Sequence, residues 1–278
     1  NSQQRKHAVN GFGVLENLNI PGLFIDAKSN QVDVMGLQAT LYLNGQECDI
    51  REIQMLRPRD IEKIEYHDAP SGKYAKDKLV VNFITKQYRY GGYVQADGLQ
   101  MIGYDHGDYN VATNYVKGNN SYTVFAGANY SHVDGTETWN NENYQFPQSL
   151  FDRESYSKNS YRNHQEYMQF RYQNQKGKRY WVGKFTLLNL STPRNASSGF
   201  AKESTETDVF SNIRKKSLSP KIDLNANLPL SKNQTLTLGV HGKYSANSYH
   251  RLYQEQPFET MTDEDENALS FQLSAIYN

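Results

Sequence analysis

The side chains of this sequence that could act in catalysis or hold a metal ion are few and scattered. Seven histidines occur in 278 residues, and no two of them have the i, i+4 spacing that puts two metal ligands on one helix face. The acidic run 263–266 could attract calcium, but it lacks the alternating ligand spacing and the glycine of a calcium-binding loop. The sequence therefore predicts no enzyme activity, no metal site and no cofactor.

A second group of side chains is suited to binding. Aromatic residues are interspersed with asparagine, glutamine and serine in three segments, at about 134–161, 191–213 and 247–265. Aromatic rings stack on a ligand while amides and hydroxyls hydrogen-bond to it, so these segments suggest a glycan or a peptide as ligand. The candidate ligand-contacting aromatic residues are Trp139, Tyr144, Tyr156, Tyr161, Phe200, Tyr249 and Tyr253.

The segments between these aromatic regions alternate apolar and polar residues. In 217–228 the apolar residues occupy the even positions and the polar residues the odd positions. The segments 122–131 and 234–245 alternate in the same way, and 269–277 alternates with its apolar residues at the odd positions. Successive side chains of a strand point to opposite faces, so each segment predicts a strand with one apolar and one polar face. About eight such strands are expected after residue 88.

The connections between these strands alternate in length. Short polar turns are predicted at 117–120, 175–178 and 231–234, and the three aromatic segments lie between them. Short turns at one end and long external loops at the other are typical of a transmembrane β-barrel. A water-soluble antiparallel β-sandwich is the alternative, but the polar faces offer no second apolar surface on which another sheet could pack.

Composition agrees with the barrel. The hydrophobic fraction is only 37%, as expected when half of each strand is polar, and the 21 tyrosines suit membrane interfaces. Thirty basic residues balance thirty acidic ones, so no basic surface for nucleic acid is predicted. Cys48 has no second cysteine with which to form a disulfide. No signal peptide is recognised, so we expect a mature chain or one that lacks its beginning.

Residues 1–87 lack the strand cycle and predict a small mixed α/β domain, followed by barrel strands over 88–278. A short helix is expected around 13–18 and a helical turn from Pro58, which suits a first helical position. Asn44 and Gly45 predict a tight turn because both tolerate positive φ. Strands are expected near 23–25, 31–34, 40–43, 61–66 and 79–85.

Five blocks of this region, 20–23, 41–45, 56–66, 69–74 and 80–86, resemble in order and spacing the plug domain of TonB-dependent outer-membrane receptors. At 75–79 the sequence departs from the glycine-rich residues common in that family. Family members close about 22 strands around the plug, so the resemblance implies that the chain is the N-terminal part of a larger barrel. The residues that carry the plug motif are Asn44, Gly45, Arg59, Asp60, Ile61, Glu62, Ile64, Glu65, Pro70, Gly72 and Tyr74.

The resemblance implies a receptor in the outer membrane of a Gram-negative bacterium that takes up a ligand too large for passive porins, with the plug gating the barrel. It implies the TonB complex and outer-membrane lipids as partners, and a surface-exposed lipoprotein as a further candidate. One alternative is a non-transporting outer-membrane β-barrel scaffold that binds partner proteins through its loops. Another is a soluble β-rich binding module.

Overall fold

The computed structural model describes residues 5–25, 31–103, 105–146, 149–177, 179–203, 205–231 and 233–277. The chain divides into two compact units, Asn1–Gly91 and Gly92–Asn278. Within the described ranges, no helix is both long enough and apolar enough to cross a bilayer.

The first unit is a mixed α/β domain. In the described residues, β1–β3 form an antiparallel sheet, and a second sheet has the order β5-β4-β7-β6 with β4 and β7 parallel. Two short 3₁₀ turns occupy Pro58–Asp60 and Gly72–Tyr74. The other elements are α1 (Gly11–Glu16), β1 (Leu23–Ile25), β2 (Val32–Val34), β3 (Leu37–Gln38), β4 (Thr40–Leu43), β5 (Gln46–Glu47), α2 (Ile50–Gln54), β6 (Ile61–His67) and β7 (Val80–Thr85).

One apolar core holds this unit together. Leu15 of α1, Ile53 of α2 and Phe83 of β7 have no exposed surface. The predicted strands near 23–25, 40–43 and 61–66 are confirmed, but α2 was not predicted. Its signal was Asp49 followed three residues later by Glu52: Asp49 Oδ1 accepts from the Arg51 amide at 3.0 Å and Glu52 Oε1 from the Asp49 amide at 3.1 Å. This reciprocal capping box starts the helix.

The second unit is one antiparallel sheet. In its described residues eight strands lie side by side in sequence order, which confirms the mainly β fold class and is consistent with part of a β-barrel. The strands are β8 (Tyr90–Gln100), β9 (Asp105–Lys117), β10 (Asn120–Phe146), β11 (Ser149–Lys176), β12 (Arg179–Lys202), β13 (Glu206–Pro229), β14 (Thr235–Glu255) and β15 (Phe258–Tyr277).

The three segments predicted as long external loops are strands in the structure. β10 and β11 stay paired out to Phe146 and Ser149, and residues 147 and 148 lie outside the described residues. Likewise β12 and β13 pair out to Lys202 and Glu206, and β14 and β15 out to Glu255 and Phe258. Both faces of these extensions are polar, so the alternation that reveals a strand in sequence is absent while the backbone pairing continues. We call them the extended hairpins.

At the other end of the sheet the connections are short, as predicted. β9 ends at Lys117 and β10 begins at Asn120, with Gly118 between them at φ +62°. The turns predicted at 175–178 and 231–234 contain residues 178 and 232, which lie outside the described residues. A β-bulge interrupts β10 at Gly135, whose φ is +79°, a value that favours glycine. The bulge exchanges the faces to which the following residues of β10 point.

Candidate functional site

The strand register collects the apolar residues of the second unit into three rows on one side of the sheet. We call this side the apolar face. Its side chains are large and exposed: Phe170, Phe185 and Ile222 keep 40%, 43% and 45% of their surface accessible. From β10 to β15 the first row is Tyr122, Tyr172, Gly183, Leu224, Val240 and Leu273; the second is Val124, Phe170, Phe185, Ile222, Gly242 and Phe271; the third is Ala126, Met168, Leu187, Pro220, Tyr244 and Leu269.

Aromatic rings lie at both margins of the apolar face. At the near margin, next to the short turns, the Tyr122 ring is 6.4 Å from that of Tyr115 and 5.3 Å from that of Tyr172. At the far margin, towards the extended hairpins, Tyr109 and Tyr130 stack at 6.5 Å. The nine residues from Tyr122 to Tyr130 are about as many as a tilted strand needs to cross a bilayer core. A membrane barrel presents to lipid an apolar band of this kind, with an aromatic girdle on each side.

The opposite side of the sheet, the polar face, is lined by charged and amide side chains. Asp223 of β13 is 4% exposed and lies at its centre. Its Oδ1 is 2.8 Å from His241 Nδ1 and 3.3 Å from Lys221 Nζ, and its Oδ2 is 4.0 Å from Lys184 Nζ. Next to this cluster Gln169, with no exposed surface, accepts a hydrogen bond from the Tyr167 hydroxyl at 2.6 Å. Apolar residues therefore predominate on one face and polar residues on the other, although Phe125, Tyr167 and Val182 are buried on the polar face.

Three of the candidate ligand-contacting residues form an aromatic cluster on the extended hairpins. Trp139, Tyr156 and Phe200 are opposite one another on β10, β11 and β12. The ring of Tyr156 is 4.4 Å from that of Trp139 and 5.8 Å from that of Phe200. Even-numbered residues of β11 share a face, so the cluster lies on the side that carries Tyr172. Trp139 is 61% exposed, which leaves aromatic surface open to a ligand.

The other four candidate aromatic residues are not part of this cluster. Tyr144 donates a hydrogen bond to Glu142 at 3.2 Å. Tyr161 and Tyr253 are odd-numbered residues of β11 and β14 and lie on the side of the polar face, as does Tyr249. The Lys215 amine lies 5.4 Å from the Tyr249 ring, and Tyr253 donates a hydrogen bond to Glu255. The seven candidate ligand-contacting aromatic residues therefore lie on both sides of the sheet and do not form one site.

In the first unit, Asn44 and Gly45 form the predicted turn between β4 and β5. Their φ angles are +52° and +76°. The Asn44 side chain donates to Thr85 Oγ1 and accepts from the Thr85 amide, both at 2.9 Å. The Gly45 amide donates to Asn82 Oδ1 at 2.9 Å. Hydrogen bonds from the turn therefore connect β4 to the end of β7.

Asp60 is the central residue of the next motif block. It is 6% exposed, and its Oδ2 lies 2.6 Å from Arg57 Nε and 2.5 Å from Arg57 Nη2. Its Oδ1 accepts a hydrogen bond from the Tyr88 hydroxyl at 3.0 Å, and burial together with this contact raises the pKa of Tyr88. The other residues of the block divide between core and solvent: Ile61 and Ile64 pack in the core, while Arg59 and Glu62 are exposed.

Glu65 joins β6 to β7. Its carboxylate is 2.7 Å from Lys63 Nζ and accepts from Asn82 Nδ2 at 2.8 Å. The pKa of Glu65 lies below its usual value, mainly because Lys63 donates a hydrogen bond to the carboxylate. Burial of the carboxylate raises the pKa and so opposes part of this effect. The interaction is therefore strongest when Glu65 is ionised.

The last motif block is followed by a part-buried hydrogen-bond cluster around Asp77. Gly72 begins the 3₁₀ turn two residues after Pro70, and Tyr74, 6% exposed, has its ring 4.7 Å from that of Tyr42. The Tyr42 hydroxyl donates to Asp77 Oδ2 at 2.7 Å, and Thr40 Oγ1 donates to Asp77 Oδ1 at 3.0 Å. Burial, and then the contact with Asp77, raises the pKa of Tyr42 above its ordinary value.

Asp77 and Asp223 are central to their clusters, and neither role was predicted from a sequence pattern. Asp77 lies in the segment 75–79 that departs from the family pattern, and Asp223 is one of several polar residues on an alternating strand. Alternation indicates the face of Asp223 but not its partners. Among the described residues, no group of three or more histidine, cysteine, aspartate or glutamate side chains is placed to hold a metal ion.

Comparison with known proteins gives distant structural similarity only. No family model and no curated protein matches the chain. Solved structures similar to it include the ferric yersiniabactin uptake receptor FyuA from Yersinia pestis (15% identity, TM-score 0.39, 98% of this chain and 60% of that one). The siderophore receptor PiuA from Acinetobacter baumannii (10%, 0.30, 97% and 53%) and the ferric enterobactin receptor PfeA (12%, 0.28, 92% and 56%) are similar too. The chain spans 53–60% of the length of these three proteins.

Proposed function

We propose that this chain is part of an outer-membrane receptor of the TonB-dependent type in a Gram-negative bacterium. The eight-stranded sheet would form part of the barrel and residues 1–87 the plug that gates it. The observation that carries the proposal is the apolar face, on which three rows of apolar residues and glycine cross the strands from β10 to β15 with aromatic rings at both margins.

The energetics favour contact of this face with lipid. Exposing such rows to water would forgo about 25 cal/mol for each Å² of apolar surface. The polar face cannot offer a second sheet an apolar surface, because Asp223, His241 and Lys184 occupy its centre. A soluble sandwich would have to bury these charges against the partner sheet, at a cost of several kcal/mol each.

The ligand is proposed to bind at the extended hairpins, where Trp139, Tyr156 and Phe200 cluster. Exposed aromatic surface among polar side chains suits a glycan or a peptide, and it requires no catalytic group. By resemblance, the TonB complex would supply energy for uptake, and a surface lipoprotein is a candidate partner at the same end of the barrel.

One observation favours the non-transporting scaffold as a second candidate function. Hydrogen bonds and an ion pair hold the segment 75–79 against β4 and β5. Asp77 accepts hydrogen bonds from Thr40 and Tyr42, and Lys76 Nζ lies 2.8 Å from Glu47 Oε2. A plug that must rearrange for transport would have to break these contacts, whereas a scaffold could keep them permanently.

Uptake measurements separate the two functions. Cells carrying the full-length gene would be given fluorescent oligosaccharides and oligopeptides, with and without TonB, and Trp139→Ala would be compared with wild type. Accumulation that needs TonB and falls in the variant is the expected result. Surface binding that needs Trp139 but not TonB would support the scaffold. Equal accumulation in cells with and without the gene would contradict the receptor.

A further inference from the structure

Beyond the far margin of the apolar face, the same side of the sheet carries a row of basic side chains. Arg162 of β11 lies directly opposite Arg194 of β12. The register between β12 and β13 places Arg214 beside Arg194. Lys216, two residues further along β13, points to the same side. We call Arg162, Arg194, Arg214 and Lys216 the basic row.

This arrangement is unfavourable without an anion. Like charges directly opposite one another on neighbouring strands destabilise a sheet. Arg162 has a carboxylate 3.6 Å away, that of Asp134. Arg194, Arg214 and Lys216 are exposed, and none of them forms an ion pair with a carboxylate in the part of the chain that the structure describes.

Two acidic residues on the same side of the sheet are already in contact with histidines, whereas Asp265 lies two strands away from Lys216. Asp105 Oδ2 is 2.8 Å from His132 Nδ1, and Asp263 contacts His250. These contacts leave the basic row with an excess of positive charge. A bound anion would neutralise this excess charge.

The position of the basic row identifies the kind of anion. Arg162 is opposite His132, which follows Tyr130 by two residues, so the row begins about 7 Å of strand beyond the aromatic margin. On a membrane-spanning sheet this is the level of the lipid headgroups, in the leaflet that faces the extended hairpins. A lipid held there would place its acyl chains along the apolar face.

We propose that the basic row binds the phosphate of lipid headgroups in this leaflet. Neighbouring guanidinium groups match phosphate because each can donate two parallel hydrogen bonds to its oxygens. A lipid phosphate fits better than free phosphate, since the row is continuous with the apolar face and one lipid can contact both. The inference rests on the membrane contact of the apolar face in the proposed function.

The test compares two lipids that differ only in phosphate. The full chain, purified in neutral detergent, would be titrated with dioleoyl phosphatidic acid and with dioleoylglycerol, and bound lipid would be counted by native mass spectrometry. We expect selective binding of phosphatidic acid. At roughly fivefold for each basic residue, the triple variant Arg162→Gln, Arg194→Gln, Arg214→Gln should bind it about 100-fold more weakly.

A matched control removes the same charge from the same strands. Lys158→Gln and Lys202→Gln remove cations farther out on β11 and β12, and Lys215→Gln removes one from the opposite side of β13. These changes should leave lipid affinity within about threefold. In detergent without phosphate, the arginine variant should unfold at the wild-type temperature or above it, because repulsion is relieved. A marked fall in that temperature would overturn the proposal by assigning the arginines a structural role.

Two further results would also overturn it. Unchanged selectivity for phosphatidic acid in the arginine variant would place the lipid elsewhere, while the proposed function would stand. Inorganic phosphate that competes as strongly as phosphatidic acid would identify a site for free phosphate. A chain that stays soluble without detergent would contradict the proposed function, and this inference with it.

Discussion

Tyr122 of β10 lies opposite Tyr172 of β11, with their ring centroids 5.3 Å apart, at the margin where the apolar face meets the short turns. Eight residues further along β10, Tyr130 stacks on Tyr109 at the other margin. Paired tyrosines thus bound the apolar face at both ends. Their spacing along the strand fits the thickness of a bilayer core with tilted strands.

A charge in the middle of the apolar face should be strongly unfavourable. Ile222 lies between Phe185 and Gly242, and we expect Ile222→Lys to destabilise the membrane-inserted protein by about 2–4 kcal/mol. If this face contacted water, an exposed lysine would change stability by only about 0.5 kcal/mol. Urea unfolding in lipid vesicles measures the difference.

The control for this experiment is Asn225→Lys, on the same strand but on the polar face, which already carries Lys221. It should change the unfolding free energy by less than about 1 kcal/mol, because the added charge remains in polar surroundings. Equal destabilisation by the two lysines would argue against lipid contact at Ile222.

Loss of the Asp223 carboxylate should destabilise the polar face. Asp223→Ala leaves Lys184, Lys221 and His241 without the anion they share, and we expect a loss of about 3 kcal/mol. The exposed Asp208 of the same strand provides the control, as Asp208→Ala should alter stability by less than about 0.5 kcal/mol. Unfolding in urea distinguishes the two, and similar values for both variants would rule out Asp223 as the anchor of this cluster.

Asp77 should be needed for local order in the first unit. In Asp77→Ala the part-buried hydroxyls of Thr40 and Tyr42 lose their acceptor, at a combined cost of about 1–3 kcal/mol. Hydrogen exchange of the amides in β4 and β7 should quicken accordingly. Asp68→Ala, which changes an exposed carboxylate, should leave exchange as in wild type, and unaltered exchange in Asp77→Ala would show that the contact is dispensable.

Glu65 should make the stability of the first unit depend on pH in the acid range. Its pKa in the folded protein is lowered, mainly by Lys63, relative to an unfolded value of about 4.3. The contribution is therefore present above that unfolded value and is lost as the pH falls through the folded pKa. Glu65→Gln should quicken exchange in β6 and β7 at pH 7 and have little effect once the wild-type carboxylate is protonated.

The exposed Glu62 is the comparison for this variant, since Glu62→Gln should leave exchange in β6 and β7 close to that of wild type at pH 7. An effect of Glu65→Gln that is the same at neutral and acid pH would mean that packing, rather than charge, accounts for it. The expected size is at most about 1 kcal/mol, because the ion pair with Lys63 is largely open to solvent.

The alternating strands and the tight turn could be predicted from the sequence, because a single physical constraint acts on each of their residues. Alternation along 217–228 correctly places Leu218, Ile222 and Leu224 on one face because lipid or water selects every second side chain. The Asn44–Gly45 turn follows from backbone sterics alone, and its positive φ angles confirm it.

The features that could not be predicted depend on contacts between residues that are distant in sequence. The extended hairpins were predicted as loops because both of their faces are polar, so only backbone pairing reveals the strands. The alignment of Trp139 with Tyr156 and Phe200 requires the bulge at Gly135 to be known, since it exchanges the two faces of β10. The contacts of Asp77 with Thr40 and Tyr42 span 35 to 37 residues and follow from no local pattern.

Membrane contact of the apolar face is most directly tested by fractionating cells that express the full-length gene. We expect the protein to sediment with outer membranes and to need detergent for extraction. We also expect faster migration in unheated electrophoresis samples than in heated ones, because an intact barrel resists the detergent. Recovery in the soluble fraction, with the same migration before and after heating, would contradict membrane contact and would mean that the apolar rows are buried against protein.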